Sequence, residues 1–531
     1  MTLWVSLLFL GFAVSWIDTA NILVVLPMPW YSHTNNYMPI IRGLVERGHN
    51  ITMLSPFPQA RQVQNLTDIV FPNLQKELLG FARNLVQSHG LWYRLIGIWM
   101  MSVDWMKCMF HQKEMKALIA DNSTKYDLII AEVWFKQEAL VAFGHKYNAP
   151  VINFVSTFVR PEAVYLTGNH LPTSFVPLWN LHYTDRMSFL QRAMNTFQYY
   201  WELILIHLCY LRIQETFMRE HFKYPGSESL PPLTEMLSNT SLTLVYSNSI
   251  AAGYPVPFSK NILEFGGMHV AIETKQLPKD LQEFMDNPKD GVIYFSFGSV
   301  TEFSVLDNKS QQSIISVLGG LKQKVMMKIE ATNPFINCTK PNILVRQWFP
   351  QPSVLAHPNC KLFITHGGIG GVMEGIYHSV PMFAIPLFAD QKLNAKLLEK
   401  VGIGYTLEPE DITAENFLMA INTVLNNSIY KENIKKRSAI LKDQPIDTLE
   451  HVLYWIEYVI RHRGAPHLRP AVLDLHWYQY FMLDVIALYL LILIVILYVI
   501  KNLIGLLYNC SLSIIQNIEY FEKSKLKSKP E

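Results

Sequence analysis

At 531 residues the chain is longer than one hydrophobic core usually organises, about 250–300 residues, so two sizeable domains plus appendages are expected. Its 45 Lys and Arg nearly cancel 43 Asp and Glu, leaving +2, which excludes recruitment of nucleic acid or an anionic surface by bulk charge. A mean hydropathy of +0.14 with apolar runs at both ends places it in a membrane system, and Cys108, Cys209, Cys338, Cys360 and Cys510 lack the spacing of a disulfide framework or a zinc site.

In chain order, Trp4 to Ile17 (WVSLLFLGFAVSWI) has the length of a secretory h-region rather than a spanning helix. A signal peptide over 1–20 is expected, cut after Ala20 or at Ala13-Val14-Ser15. Asn21 to Pro27 reads as a strand, Asn36 to Arg47 as a helix closing at Gly48, and Ile51 to Ser55 as a second strand, one βαβ unit. Trp92, Trp99, Met100, Met101, Trp105, Met106 and Phe110 fit a lipophilic pocket or ordinary core packing. Tyr126 to Ala131 and Val151 to Phe154 continue the strand series, and Pro255 and Pro257 mark a domain junction.

A second α/β series runs through Gly291 to Phe297, Lys324 to Ile329, Ile343 to Val345, Lys361 to Thr365 and Pro381 to Leu387. The fold class is therefore α/β, with two Rossmann-like domains, 21–257 and 258–445, facing a crevice. In 446–476, Ile446, Leu449, Val452, Leu453, Ile456, Val459 and Ile460 recur at helical spacing and should pack back on the globular part. Tyr478 to Ile500 can cross a bilayer, with Trp477, Tyr478 and Tyr480 at one interface, Lys501 at the other, and Asp484 its single charge, so 477–500 is read as a transmembrane helix. Leu503 to Ile518 either extends that helix or lies at the interface. Arg461, Arg463 and Arg469 alone argue for the opposite orientation, but a signal peptide commits the large amino-terminal part to translocation, leaving 501–531 as a cytosolic tail.

The densest signal is Trp348 to Gln391. Lys361 to Thr365 is a short apolar strand feeding a tight turn and a helix, and Gly367, Gly368, Gly370 and Gly371 let backbone N–H groups at that helix start approach an anion. His366 adds a donor, and Glu374, one turn into the helix, suits the paired hydroxyls of a ribose. The next strand delivers Asp390 and Gln391 to its carboxyl end to hold a sugar, Trp348 offers a face for a base, and Gln351 reaches hydroxyls from the same side. A dinucleotide fingerprint would need G-x-G-x-x-G, and GGIGGVMEG misses that spacing.

This block resembles the signature of the UDP-glycosyltransferases, and the resemblance continues through YSHT (31–34), RGHNITML (47–54), YDLIIAE (126–132), FSFGS (295–299) and HLRPAVLDLHWYQYFMLDVI (467–486). It is similar to the membrane-bound animal glucosyl- and glucuronosyltransferases, in an insect-like form. Gly370 stands where vertebrate relatives commonly carry Asn, and Glu132 where many carry Asp. The resemblance implies a GT-B architecture, the carboxyl-terminal half binding a UDP-sugar donor and the amino-terminal half a small lipophilic acceptor. It implies helices that brace the first domain, and membership in the endoplasmic reticulum membrane as a single-pass type I glycoprotein of detoxification, compatible with a homo-oligomer.

His33 follows the first strand and Glu132 the Tyr126 to Ala131 strand, so both reach the carboxyl edge of one sheet. The expectation is that His33, kept neutral by a helix start, deprotonates the acceptor hydroxyl while Glu132 fixes its tautomer, in one inverting displacement. His366, the Gly367 to Gly371 amides and the Gly298-Ser299 turn would stabilise departing UDP. No cofactor or metal is expected, since the chain has no Asp-x-Asp triplet. His49 and His378 are read as structural. Glucose is favoured over glucuronate; a non-catalytic UDP-sugar-binding membrane protein is the rival. Sequons begin at Asn50, Asn65, Asn122, Asn239, Asn308, Asn337 and Asn426, and Lys527-Ser-Lys529-Pro-Glu531 reads either as a dilysine retrieval signal or as a solvated basic terminus.

Overall fold

The computed structural model describes residues 19–59, 61–71, 74, 103–157, 160–179, 181–248, 253–270, 275–337 and 340–527. The expected signal segment to residue 18, Trp92, Trp99, Met100 and Met101, Cys338 and the last four residues lie outside them. Two units result, one ending at Pro470 and one beginning at Ala471.

In the first unit, β1 (Asn21–Val25), β2 (Asn50–Ser55), β3 (Leu66–Val70), β4 (Leu128–Ala131), β5 (Val151–Val155), β6 (Leu242–Val245) and β7 (Ile262–Glu264) form one parallel sheet, in the order β3-β2-β1-β4-β5-β6-β7. A second parallel sheet holds β8 (Val292–Ser296), β9 (Lys324–Lys328), β10 (Ile343–Arg346), β11 (Cys360–Thr365), β12 (Met382–Ala384) and β13 (Gly404–Thr406), in the order β10-β9-β8-β11-β12-β13. Helices cover both faces of such sheets, so central strands are largely apolar: β4 (LIIA) and β5 (VINFV), with Asn153 its one polar residue, are buried at every position. Strand order reverses beside β1 in one sheet and beside β8 in the other, and ligands of open α/β sheets bind outside the strand ends at such points.

Two expectations need correction. β7 pairs with β6 through Thr243–Ile262 to Val245–Glu264, so a boundary at 257/258 cuts the first sheet before its last strand. The helix expected from Asn36 begins at Tyr31 and runs to Glu46 (α1), with His33 inside its first turn rather than ahead of it. The polar residues ahead of Asn36 join the helix because His33, Thr34 and Asn36 are buried against the rest of the unit, which holds them helical.

Four further helices bear on the site: α2 (Phe189–Leu205), α3 (Gln351–Ala356), α4 (Ile369–Tyr377) and α5 (Gln391–Lys400). α2 is capped by Ser188 and Gln191 in a reciprocal capping box. Its outer face carries exposed Phe189, Leu190, Met194, Phe197, Trp201 and Ile204 at helical spacing. The return helix α6 (Thr448–Arg461) packs on α1 and buries Val452, Leu453, Ile456 and Val459, whereas Ile446 stands outside it and is exposed. Arg47 reaches from the end of α1 to Glu457 at 2.8 Å and to Glu450 at 2.5 Å.

In the second unit, Trp477–Tyr480 is a short separate helix, and α7 (Leu483–Lys527) is continuous over 45 residues. The break lies at Met482, whose φ of 53° no helix continues through. Leu503 to Ile518 therefore extends the apolar helix, which at 1.5 Å per residue is about twice the ~30 Å hydrocarbon thickness. By length and composition it can cross a membrane.

Candidate active site

The two switch points deliver the chemistry. β1 feeds α1 and its His33; β4, beside β1, ends at Ala131 and hands over to Glu132. In the second sheet β8 leads into Gly298 and Ser299, and β11, beside β8, leads into His366 and Gly368. A cavity of about 570 Å³ opens between these strand ends, lined by His33, Gly298, Ser299, Trp348, Gln351, His366, Gly368, Gly370, Glu374, Asp390 and Gln391. Of the candidate site residues singled out by sequence, Glu132, one layer behind His33, and Gly367 stay off the lining.

His33 Nδ1 lies 2.7 Å from Glu132 Oε1. The carboxylate is fully buried and accepts a short hydrogen bond from Ser156 Oγ, which in turn sits 2.6 Å from Tyr37 Oη. A carboxylate in that position favours the Nδ1–H tautomer and leaves Nε2 for the cavity. Trp30 and Phe135 meet the ring edge-on, with centroids at 5.1 and 4.7 Å, and fix its plane.

Across the cavity, His366 is held between two backbones. A Cβ on Gly298 would stand 2.6 Å from its Cε1, and one on Gly368 2.5 Å from its Nε2, so any side chain at either position collides with the imidazole. Its Nδ1 is buried with no hydrogen-bond partner among the described residues. Burial and the Lys328 ammonium push its pKa down to about 4, so the ring is neutral at physiological pH. Lys328 Nζ donates to the Gly298 carbonyl at 2.7 Å and lies 5.6 Å from the Trp348 ring centroid. With Gly368 as N-cap of α4, this wall presents a helix N-terminus and a cation to one space, an arrangement suited to an anion.

Trp348 keeps an exposed face, 56% accessible, and meets Tyr31 of the opposite domain edge-on at 5.6 Å. Glu374 is engaged at both oxygens: Gln351 donates a short bond to Oε2, and His269 Nε2 lies 3.2 Å from Oε1. A ligand diol at Glu374 would displace one of these. Asp390 is buried, which raises its pKa, while Asn394 donates to it at 2.8 Å. Gln391 spends its carbonyl oxygen on the Leu387 and Phe388 amides, at 2.8 and 3.0 Å, leaving its NH₂ as the group free for a ligand. Among the described residues no group of three or more His, Cys, Asp or Glu is placed to hold a metal ion.

Sequence reasoning missed Asn36, Ser156, Arg160, His269 and Lys328. Asn36, Arg160, His269 and Lys328 line the cavity with the others, as does Ser156 behind them. Lys328 was within reach, one residue before the end of the expected strand Lys324 to Ile329 and the last residue of β9; His269 meets Glu374 across 105 positions and carries no local signature.

A family model described as "UDP-glucoronosyl and UDP-glucosyl transferase" matches residues 21–517. The chain is 34% identical over 472 residues to UDP-glucosyltransferase 2 of Dactylopius coccus, covering 88% of this chain and 89% of that one. It is 32% identical over 518 residues to UDP-glucuronosyltransferase 1-2 of Rattus norvegicus, covering 93% and 92%. Among solved structures, the glycotransferase of kitacinnamycin superposes with a TM-score of 0.57 at 17% identity, over 83% of this chain and 100% of that one. The calicheamicin glycosyltransferase CalG4 gives 0.55 at 18%, over 85% and 100%. At those identities the structures speak for the fold alone.

Proposed function

The chain belongs to the UDP-glucuronosyl and UDP-glucosyl transferase family and is a UDP-glycosyltransferase of GT-B fold, and we propose that it moves a hexosyl group, glucose before glucuronate, from UDP to a hydroxyl of a small lipophilic acceptor with inversion. His33 Nε2 takes the proton of the attacking hydroxyl, and Glu132 holds the ring and stabilises the imidazolium that forms. UDP leaves into the wall built by Gly298, Ser299, His366, Gly368, Gly370 and Lys328, where donors and a positive charge meet the developing negative charge. Trp348 stacks on the base, Gln351 and Glu374 bind the ribose, and Asp390 with the Gln391 amide bind the sugar. The scheme contains no metal step.

The observation that supports this reading is the meeting of His33 and His366 in one cavity from the switch points of two facing sheets. The acceptor hydroxyl and the leaving diphosphate of an in-line displacement need such opposite walls. α7 suits a membrane anchor, and with a translocated amino-terminal part the transfer site faces the lumen of the endoplasmic reticulum. Microsomes carrying His33→Ala beside the unchanged chain test the transfer reading. Loss of transfer with retained UDP binding is expected. Equal transfer would overturn the role of His33, and UDP binding without transfer by the unchanged chain, across a panel of UDP-sugars with phenolic acceptors, would favour a non-catalytic UDP-sugar-binding membrane protein.

A further inference from the structure

Among the described residues Arg160 is a cation without a paired anion. Its side chain is buried, 8% accessible, at the mouth of helix Pro161–Leu166, and it lines the cavity. Its guanidinium lies between two aromatic rings, 5.3 Å from the centroid of Phe135 and 5.0 Å from that of Trp179. Among the described residues it makes no side-chain hydrogen bond and no ion pair within 4 Å. The acidic groups that feel its charge are occupied elsewhere: Glu162 pairs with Lys136 at 3.1 Å, Glu202 accepts from Gln198 at 2.8 Å, and Asp390 accepts from Asn394. Glu138, the fourth, is held near neutrality by burial, with its pKa raised to about 7.

Burying a guanidinium without an acceptor is unfavourable, and the two ring faces offset only part of that cost. The rings also fix the plane of the fork, so its N–H groups are set for a planar, bidentate anion before one arrives. Phe135, which touches Arg160 on one side, packs on the His33 ring at 4.7 Å on the other. The fork therefore stands one ring away from the candidate base, at the reacting end of the cavity rather than at the helix N-terminus expected to meet the diphosphate.

We propose that Arg160, clamped between Phe135 and Trp179, is a carboxylate-binding subsite at the reacting end of the cleft, and that this enzyme takes a substrate bearing a carboxylate there. The inference rests on the reading of the cleft as the transfer site and narrows its substrate class. The carboxylate can belong to the acceptor, as in a phenolic acid, or to C6 of a uronate donor; the same fork serves both.

Equilibrium binding to the full-length chain in detergent separates the sources and requires no turnover. The probes are 4-hydroxybenzoate against its methyl ester, both with UDP present, and UDP-glucuronate against UDP-glucose. In the unchanged chain one carboxylate probe binds more tightly than its neutral counterpart, and Arg160→Gln lowers that preference by about tenfold to a hundredfold, the weight of a charge-assisted hydrogen bond. Arg160→Lys, which keeps the charge and loses the fork, falls between. A preference confined to the first pair assigns the acceptor, and one confined to the second assigns the donor. No preference in the unchanged chain, or a preference that Arg160→Gln leaves intact, overturns the proposal. Because binding is read directly, the result stands even if the His33→Ala experiment removes the transfer reading.

Discussion

Nδ1 of His33 lies 2.7 Å from Oε1 of Glu132, and this contact joins the two neighbouring strands, β1 and β4, at which the first sheet reverses its order. With the carboxylate in place the imidazolium formed on proton uptake is stabilised; with an amide it is not, and the opposite tautomer becomes accessible. Glu132→Gln should therefore lower kcat by about 10²–10⁴ while KM for the UDP-sugar changes little. Initial rates at saturating acceptor decide it: an unchanged kcat removes the carboxylate from the mechanism. Ser156→Ala, which takes one hydrogen bond from Glu132, should cost less.

The second prediction concerns shape. Gly368 has an ordinary φ of −62°, so alanine there meets no backbone strain, only the His366 ring at 2.5 Å. Overpacking of this kind costs about 1–3 kcal/mol. Gly368→Ala should lower Tm and weaken UDP binding. Replacing the ring as well, in the Gly368→Ala, His366→Ala double variant, should recover most of the lost Tm but none of the UDP affinity, because the clash is gone and so is the donor. Additive losses of Tm would mean that the two positions do not share the contact.

Both Rossmann-like sheets were legible because their central strands are short apolar runs closed by turn residues, as in β4, β8 and β11. Among the described residues four strands escaped notice: β3 (LTDIV) carries Asp68 and is largely half-buried, β7 and β13 are three residues each, and β6 (LTLV) is buried throughout but only four residues long with Thr243 inside it. Candidate residues that follow a strand directly, such as His33, Glu132 and His366, could be placed at one edge from chain order alone. Arg160 could not: its environment is made by Phe135 and Trp179 from other segments, and its lack of an anion among the described residues is a property of the packed site. Glu374 shows the converse. Its position one turn into α4 was readable, but its occupation by Gln351 and His269 depends on contacts 23 and 105 residues away.

Gly370 leads to a third prediction. A Cβ there would meet only Oδ1 of Asn36, from the other domain, at 3.6 Å, which is ordinary contact. The first turn of α4 thus has room for a side chain next to its free N–H groups. Gly370→Asn should fold as well as the unchanged chain and bind UDP-sugar more tightly by the net worth of one hydrogen bond, about 0.5–1.5 kcal/mol or roughly two- to tenfold in KM. A raised KM would mean that the Asn36 amide already fills that space with ligand bound.

Acid should destabilise the fold in a window set by two histidines. Burial is the first cause that lowers the pKa of His366 and of His378, each to about 4. In the unfolded chain both return to about 6.5. As pH falls below 6.5 the unfolded state takes up protons that the folded state refuses, so the stability these groups contribute is complete above pH 6.5 and is lost between 6.5 and 4. His378 is the better probe, because it does not line the cavity and its buried Nε2 has no partner among the described residues. His378→Gln cannot be protonated and should lose fewer degrees of Tm between pH 7 and pH 4.5 than the unchanged chain, at about 2–4 °C for each kcal/mol retained in a domain of 150–250 residues. Carboxylates titrating lower in the range affect both proteins alike and cancel in the difference. Parallel Tm curves for the two would mean that His378 takes up its proton equally well in the folded chain, and the window would then belong to His366 and the carboxylates alone.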